Sequence, residues 1–186
     1  MSSQIRKVAV IGAGTMGHGI AEVSALAGYE VVMVDISQDI LNKALERIKW
    51  SLDKLAERGT ISKEKVGEVM GRIKTSLSIV EAVKDADIMI EAVPEKLDLK
   101  KQVFAEADAN APPHAILATN TSSLPITEIA SATKRPERVV GIHFFNPPVL
   151  MPLVEVIKGA QTSDEVAKRA YDFVKSLGKE PIMVNK

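Results

Sequence analysis

With 186 residues, 46% of them hydrophobic and 26% charged, the chain has the size and composition of one globular domain, with room for two small ones at most. Lysine plus arginine number 24, as do aspartate plus glutamate, so no net field recruits nucleic acid or an anionic membrane surface. The absence of cysteine excludes a disulfide framework, a thiolate nucleophile and a thiolate metal site. No run approaches the ~18 apolar residues of a membrane span, and no signal-peptide core stands apart from the first strand, so a cytoplasmic location is expected.

The first apolar run, residues 8–11, reads as a buried strand that passes through Gly12-Ala13-Gly14-Thr15-Met16-Gly17 into an apolar helix ending near Ala27. Gly12, Gly14 and Gly17 form G-x-G-x-x-G. The first glycine permits the tight turn, the second lets backbone approach a pyrophosphate, and the third lets helix pack on strand. Unpaired N–H groups and the positive dipole end of the helix then hold the anion without a cationic side chain. Glycines also mark ordinary turns, so the motif gains its weight from context. A second strand, 30–34, ends in Asp35, eighteen residues past Gly17. That is close to the ~20 at which a carboxylate meets a ribose 2′-OH. Asp35 would repel a 2′-phosphate, and Ile36, Ser37 and Gln38 follow it rather than a cation, so NAD is expected over NADP.

A long helical pattern follows over 37–58, with Ser37 as its N-cap and Gly59 ending it. A second covers 63–70, with Ser62 as N-cap, Ile61 and Val66 placed as a hydrophobic staple, and Gly71 as its stop. The pair predicts a helical-hairpin insertion over about 37–71. It serves either as packing on the sheet edge or as a clamp over a substrate tail, and the pattern leaves both open.

Strand patterns recur at 73–77, 88–93, 115–119, 139–143, 154–157 and 181–184, with helical patterns at 78–83, 97–109, 126–131 and 163–177. This alternation of apolar strands and helices predicts an α/β, Rossmann-like, doubly wound and mostly parallel sheet covered on both faces. Ligands of such sheets gather beyond the carboxyl ends of the strands. The polar residues that end strands are Asp35, Glu95, Asn120 with Ser122, and His143 with Asn146. Ser122 also has a local reading as a helix cap before residues 124–126, and His143 one as a satisfied strand-end histidine. His18 sits in the glycine-turn helix, and His114, in a Pro-containing loop, is expected to be solvated.

The glycine turn, Asn120-Thr121-Ser122-Ser123-Leu124, and above all Gly141-Ile142-His143-Phe144-Phe145-Asn146-Pro147-Pro148 with Leu153-Val154-Glu155-Val156-Ile157 resemble the (S)-3-hydroxyacyl-CoA dehydrogenase family over essentially the whole chain. The resemblance implies NAD-dependent interconversion of 3-hydroxyacyl-CoA and 3-oxoacyl-CoA. His143 matches the family's catalytic base, Glu155 its partner carboxylate, and Ser122 the serine that hydrogen-bonds the substrate oxygen. Gly12, Gly14, Thr15, Met16, Gly17, Asp35, Glu95, Lys100, Asn120 and Asn146 fall at cofactor-binding positions. Ser51 and Arg58 fall near the CoA moiety, Arg58 standing where relatives can carry Lys. Chemistry supports the central pair independently, because alcohol oxidation needs a base titrating near neutrality. An acid in the apolar run 153–157 needs a partner in any case.

In the family, a mostly helical domain follows the sheet, completes the acyl site and forms a homodimer, whereas this sequence stops at Val184-Asn185-Lys186. The expectation is a single NAD-binding domain spanning 1–186 that binds NAD with little turnover on its own. No metal, nucleic acid or membrane partner is expected. The rival readings are an L-gulonate-type dehydrogenase, which shares the histidine segment, and a non-catalytic NAD-binding module. Enzymes of the 3-hydroxyisobutyrate or 6-phosphogluconate type use a lysine instead, and the histidine and glutamate argue against them.

Overall fold

The computed structural model describes residues 4–185. Lys186, and the first three residues of the predicted 1–186 span, lie outside the described residues. The strands are β1 (Lys7–Ile11), β2 (Glu30–Val34), β3 (Ile73–Ser76), β4 (Ile88–Glu91), β5 (Ile116–Thr119), β6 (Val139–Phe144), β7 (Leu153–Lys158) and β8 (Glu180–Asn185). Between them run α1 (Thr15–Leu26), α2 (Gln38–Glu57), α3 (Lys63–Gly71), α4 (Ile79–Val83), α5 (Leu97–Asn110), α6 (Ile126–Ala130) and α7 (Asp164–Ser176). All eight strands form one sheet in the order β3-β2-β1-β4-β5-β6-β7-β8.

The order reverses between β1 and β4, the topological switch point at which doubly wound sheets bind ligands. Alternation of side chains across β1 sorts the core into two clusters. Val8 and Val10 pack with α1, α2, α3 and α7, while Ala9 and Ile11 pack with α4, α5 and α6. The predicted α/β architecture therefore holds, with both faces of the sheet covered. One pairing departs from the parallel rule: β6 and β7 are antiparallel, joined by a turn at 145–152, and this turn contains a cis Asn146–Pro147 bond.

Local signals act as the sequence predicts at the starts of α2 and α3. Ser37 Oγ accepts from the Ile40 N–H at 3.2 Å, and Ser62 Oγ from that of Lys65 at 3.1 Å. Such caps contribute about 1 kcal/mol each. Val66 is buried, with Ile61 packed on the same cluster, as a staple requires. Gly71 is a correction. It is the last residue of α3 rather than its stop, and the helix ends at Arg72 because β3 begins at Ile73. Arg72 then donates to the Ala25 carbonyl at 2.8 Å, tying the α2–α3 pair to α1. Among the described residues no helix is long and apolar enough to cross a membrane.

Candidate active site

The glycine turn leaves β1 at the switch point. Gly12 has φ +107°, a conformation open to glycine, and a Cβ there would lie 2.6 Å from the Ala92 carbonyl oxygen. A Cβ on Gly17 would lie 1.8 Å from the Gly12 carbonyl oxygen, so helix and turn can touch only without a side chain. Gly14 differs, since a Cβ there would meet nothing within 4 Å. It is the N-cap of α1, makes no side-chain cap bond, and no acid occupies the first turn. Uncapped N–H groups therefore face open space, which suits a diphosphate. Asp35 stands beside them. Its Oδ2 accepts from the Ala13 N–H at 2.7 Å and its Oδ1 from that of Ile36 at 2.7 Å, leaving one further lone pair on each oxygen for a hydroxyl. These residues fit a dinucleotide.

At the ends of β4 and β5 lies a charged network. Lys100, 1% exposed, brings its ammonium 2.5 Å from Glu91 Oε2, 3.2 Å from Glu95 Oε1 and 3.1 Å from the Val93 carbonyl, so its three donors meet three oxygens. Glu91 is fully buried. Burial pushes its pKa up, while Lys100, the Thr119 hydroxyl at 2.6 Å and the Val93 N–H pull the other way. Glu91 and Thr119 are absent from the sequence reading, which passes over the acid as part of an apolar strand. The available signal was an acid closing that strand with a lysine one helical stretch later.

Glu95 organises the loop that carries Ser122. Its Oε2 accepts from Thr121 Oγ1 at 2.5 Å, the Ser122 N–H at 3.0 Å, and the Ser123 N–H and hydroxyl at 3.2 and 3.1 Å. Burial opposes this charge, but the Thr121 bond, Lys100 and the Ser122 N–H outweigh it and bring the pKa down to about 2. Ser122 Oγ reaches Glu95 only at 3.4 Å, a weak bond that leaves the hydroxyl available. The helix-cap reading of Ser122 is corrected, because α6 begins after Pro125 with no side-chain cap.

The antiparallel turn supplies the remaining pair. His143 on β6 lies directly opposite Glu155 on β7, so both side chains stand on one face, with Nδ1 2.9 Å from Oε1. An ionised carboxylate can only accept, so Nδ1 carries the proton and Nε2 is the nitrogen left for a ligand. Phe145 lies against the ring at 4.6 Å between centroids. Asn120 Oδ1 accepts from the Phe144 N–H at 2.8 Å and fixes the end of β5 to that of β6. A cavity of about 340 Å³ gathers His143, Ser122, Asn120, Asn146, Glu95, Lys100 and Met16. Gly12, Gly14, Gly17 and Asp35 line the neighbouring turn instead.

A second cavity, about 630 Å³, opens between α1, α2 and the turn after β6 and shares Asn146 with the first. Ser51 and Arg58 lie here with Thr15, His18, Lys43, Arg47, Trp50 and Lys54. Its floor holds Glu22, 1% exposed, whose Oε2 accepts from the Ser51 hydroxyl at 2.6 Å. Burial raises the pKa of Glu22 to about 7, against the lowering effect of Ser51. His18 donates from Nδ1 to the Gly14 carbonyl at 2.7 Å, and burial lowers its pKa. His114 corrects the sequence reading. It is half-buried, with Nε2 2.8 Å from Asp87 Oδ1.

A doubly wound sheet with a glycine turn at its switch point, an acid at the end of β2 and a histidine–carboxylate pair on the same rim defines a nicotinamide-dinucleotide dehydrogenase domain. Residues 7–186 match the family described as 3-hydroxyacyl-CoA dehydrogenase, NAD binding domain, and the chain belongs to that family. It is 45% identical over 182 residues to a Bacillus subtilis protein named "Probable 3-hydroxybutyryl-CoA dehydrogenase", covering 98% of this chain and 63% of that protein. It is 42% identical to the 3-hydroxyadipyl-CoA dehydrogenase of Escherichia coli, covering 98% of this chain and 38% of that one. The crystal structure of (S)-3-hydroxybutyryl-CoA dehydrogenase from Ralstonia eutropha superposes with a TM-score of 0.95 at 42% identity, over 98% of this chain and 64% of that chain. The chain thus spans less than two thirds of the length of these relatives.

Proposed function

We propose that this NAD-binding domain serves the interconversion of (S)-3-hydroxyacyl-CoA and 3-oxoacyl-CoA, with His143 as the base. The observation that carries the reading is the His143–Glu155 pair at 2.9 Å, on a cavity shared with Ser122. When bound, NAD supplies the hydride acceptor for the substrate's carbinol carbon. In the oxidative direction His143 Nε2 takes the hydroxyl proton. Glu155 keeps the proton on Nδ1 and stabilises the imidazolium that forms, as the acid does in a Ser-His-Asp triad. Ser122 Oγ donates to the substrate oxygen and holds it near the imidazole. Glu95 orders the Ser122 loop for that task, and Lys100, its donors taken, acts through Glu95 rather than on a ligand. Gly12, Gly14, Thr15, Met16 and Gly17 receive the diphosphate and nicotinamide side of NAD. Asp35 accepts from the adenosine ribose, and Asn120 and Asn146 border the nicotinamide.

The larger cavity favours an acyl-CoA over a sugar acid. Lys43, Arg47, Lys54 and Arg58 surround it, suited to a phosphate-bearing tail, and a small gulonate would leave it unused. Ser51 and Arg58 contact that tail. Within the helical pair, α2 therefore acts as the clamp, and turnover belongs to the longer cytoplasmic enzyme, a homodimer through a following helical domain. The chain itself binds NAD with little turnover.

The test is calorimetric titration of the chain with NADH, followed, in the longer enzyme that carries turnover, by fluorescence-detected hydride transfer to acetoacetyl-CoA. Asp35→Ala is expected to weaken NADH binding tenfold or more on the scale of a lost charge-assisted bond, about 1.5–3 kcal/mol. His143→Ala is expected to keep NADH affinity and lower hydride transfer by ~10²–10⁴. A folded wild-type chain that ignores NADH, or a His143→Ala variant that loses NADH affinity as Asp35→Ala does, overturns the assignment.

A further inference from the structure

Glu22 stands outside the chemistry above, yet it is the most deeply buried carboxyl of the larger cavity and its hydrogen-bond partner, Ser51, is a residue assigned to the ligand tail. Resting on that reading of the cavity, we propose that Glu22 is a positioning residue for acyl-CoA: by gaining or losing a proton it decides whether Ser51 offers the ligand a hydrogen-bond donor or only an acceptor.

The geometry leaves two states. Between Oε2 and Oγ, 2.6 Å apart, one proton occupies the bond. If Glu22 is ionised it can only accept, so Ser51 spends its proton inward and presents lone pairs to the cavity. When Glu22 is protonated it donates to Ser51 Oγ, and the serine proton is free to meet a carbonyl or phosphate oxygen of the ligand. Among the described residues no cation pairs with Glu22 to hold it ionised. The titratable and charged groups around the same cavity are His18 from α1 and Lys43, Glu46, Arg47, Lys54 and Arg58 from α2. The Asn146–Leu150 turn contributes none, and α3, whose buried residues are Val66 and Val69, lines none of the cavity.

The direction of the pH effect follows. A ligand that closes the cavity removes more water from Glu22, which disfavours its charged form, and an anionic tail disfavours it further. The bound state therefore holds the proton to higher pH than the free state, whose pKa is about 7. Binding takes up a proton near neutrality and weakens as pH rises beyond that point. Burial lowers the pKa of His18, and a His18 variant separates its contribution from that of Glu22.

The experiment is calorimetric titration of the chain, loaded with NADH, by acetoacetyl-CoA at pH 6, 7 and 8. At pH 7 it is repeated in two buffers of different ionisation heat. Wild type is expected to bind about tenfold more weakly at pH 8 than at pH 6 and to take up a fraction of a proton at pH 7. Glu22→Gln, whose carboxamide donates to Ser51 as the neutral acid does, is expected to hold near the pH 6 affinity throughout with no such uptake. Ser51→Ala removes the bond that lowers the Glu22 pKa, so it is expected to weaken binding and move the pH slope upward. His18→Gln is expected to keep the wild-type slope. A flat wild-type profile, or a Glu22→Gln profile with the wild-type slope, overturns the proposal while leaving the acyl-CoA reading intact. No acetoacetyl-CoA binding at any pH overturns both.

Discussion

Glu91 and Glu22 are two acids of the same depth, one fully buried at the end of β4 and the other 1% exposed on α1, and the structure treats them in opposite ways. Burial pushes both upward in pKa. Glu91 meets an ammonium, a hydroxyl and a backbone N–H, whereas Glu22 meets one serine. The rim at the ends of β4 and β5 is thus locked by paired charge, and the larger cavity keeps a carboxyl that can still titrate. Depth alone does not set a carboxyl's state; the donors around it do.

The sharpest way to break this contrast is to give Glu91 the isolation of Glu22. Lys100→Met leaves a buried carboxyl without its cation and releases Glu95, and is expected to cost about 3–5 kcal/mol of stability in urea unfolding at pH 7. A loss below about 1 kcal/mol would show that the network is not paired as described. The converse change relieves Glu22. The folded state holds a proton on Glu22 that the unfolded chain releases, so stability falls as pH rises from about 4.5 to about 7. Glu22→Gln removes that slope, and is expected to exceed wild type by up to about 3 kcal/mol at pH 8 and to match it at pH 4. Equal stability of the two at pH 8 would mean that Glu22 is ionised without penalty. The smallest effect concerns Glu95, whose pKa is depressed to about 2. Its contribution is present above the ordinary glutamate value and is lost as pH falls through the folded value. With its side chain 37% exposed, solvent screening limits that contribution to about 1 kcal/mol. Glu95→Gln should therefore flatten a shallow acid-side slope in thermal melts between pH 5 and pH 3, and an unchanged slope would assign it elsewhere.

Much of the fold is legible in the sequence because local rules agree with global ones. Ser37 and Ser62 cap where the pattern starts, Asp35 closes a strand at dinucleotide spacing, and apolar runs alternate with helices. The boundary at Gly71 is not, because a strand that starts at Ile73 decides where α3 ends, and a glycine inside a helix looks the same as one after it. The site is readable at residues that terminate strands, which is how Asn120, Ser122, His143 and Asn146 emerge. Glu91, Thr119 and Glu22 escape that reading. Glu91 and Thr119 close apolar runs and Glu22 lies within one, and their partners (Lys100 and Thr119 for Glu91, Glu91 for Thr119, Ser51 for Glu22) come from other elements that only tertiary packing brings near. The direct opposition of His143 and Glu155 is hidden for a similar reason, since nothing in an apolar run marks β7 as antiparallel.

That reversal of direction has a bearing on portability. Because β6 and β7 are joined by the short turn at 145–152, the histidine and its acid travel together in one contiguous stretch of sequence, so the pair can be transplanted between related scaffolds as a single hairpin. The number of strand residues between the turn and each side chain is then the variable that evolution or a designer has least freedom to alter. Inserting one residue into β7 ahead of Glu155, with the turn held, would rotate Glu155 to the other face of the sheet. Inserting two would restore the face but set the carboxyl one ladder step away, about 7–8 Å from its former neighbour.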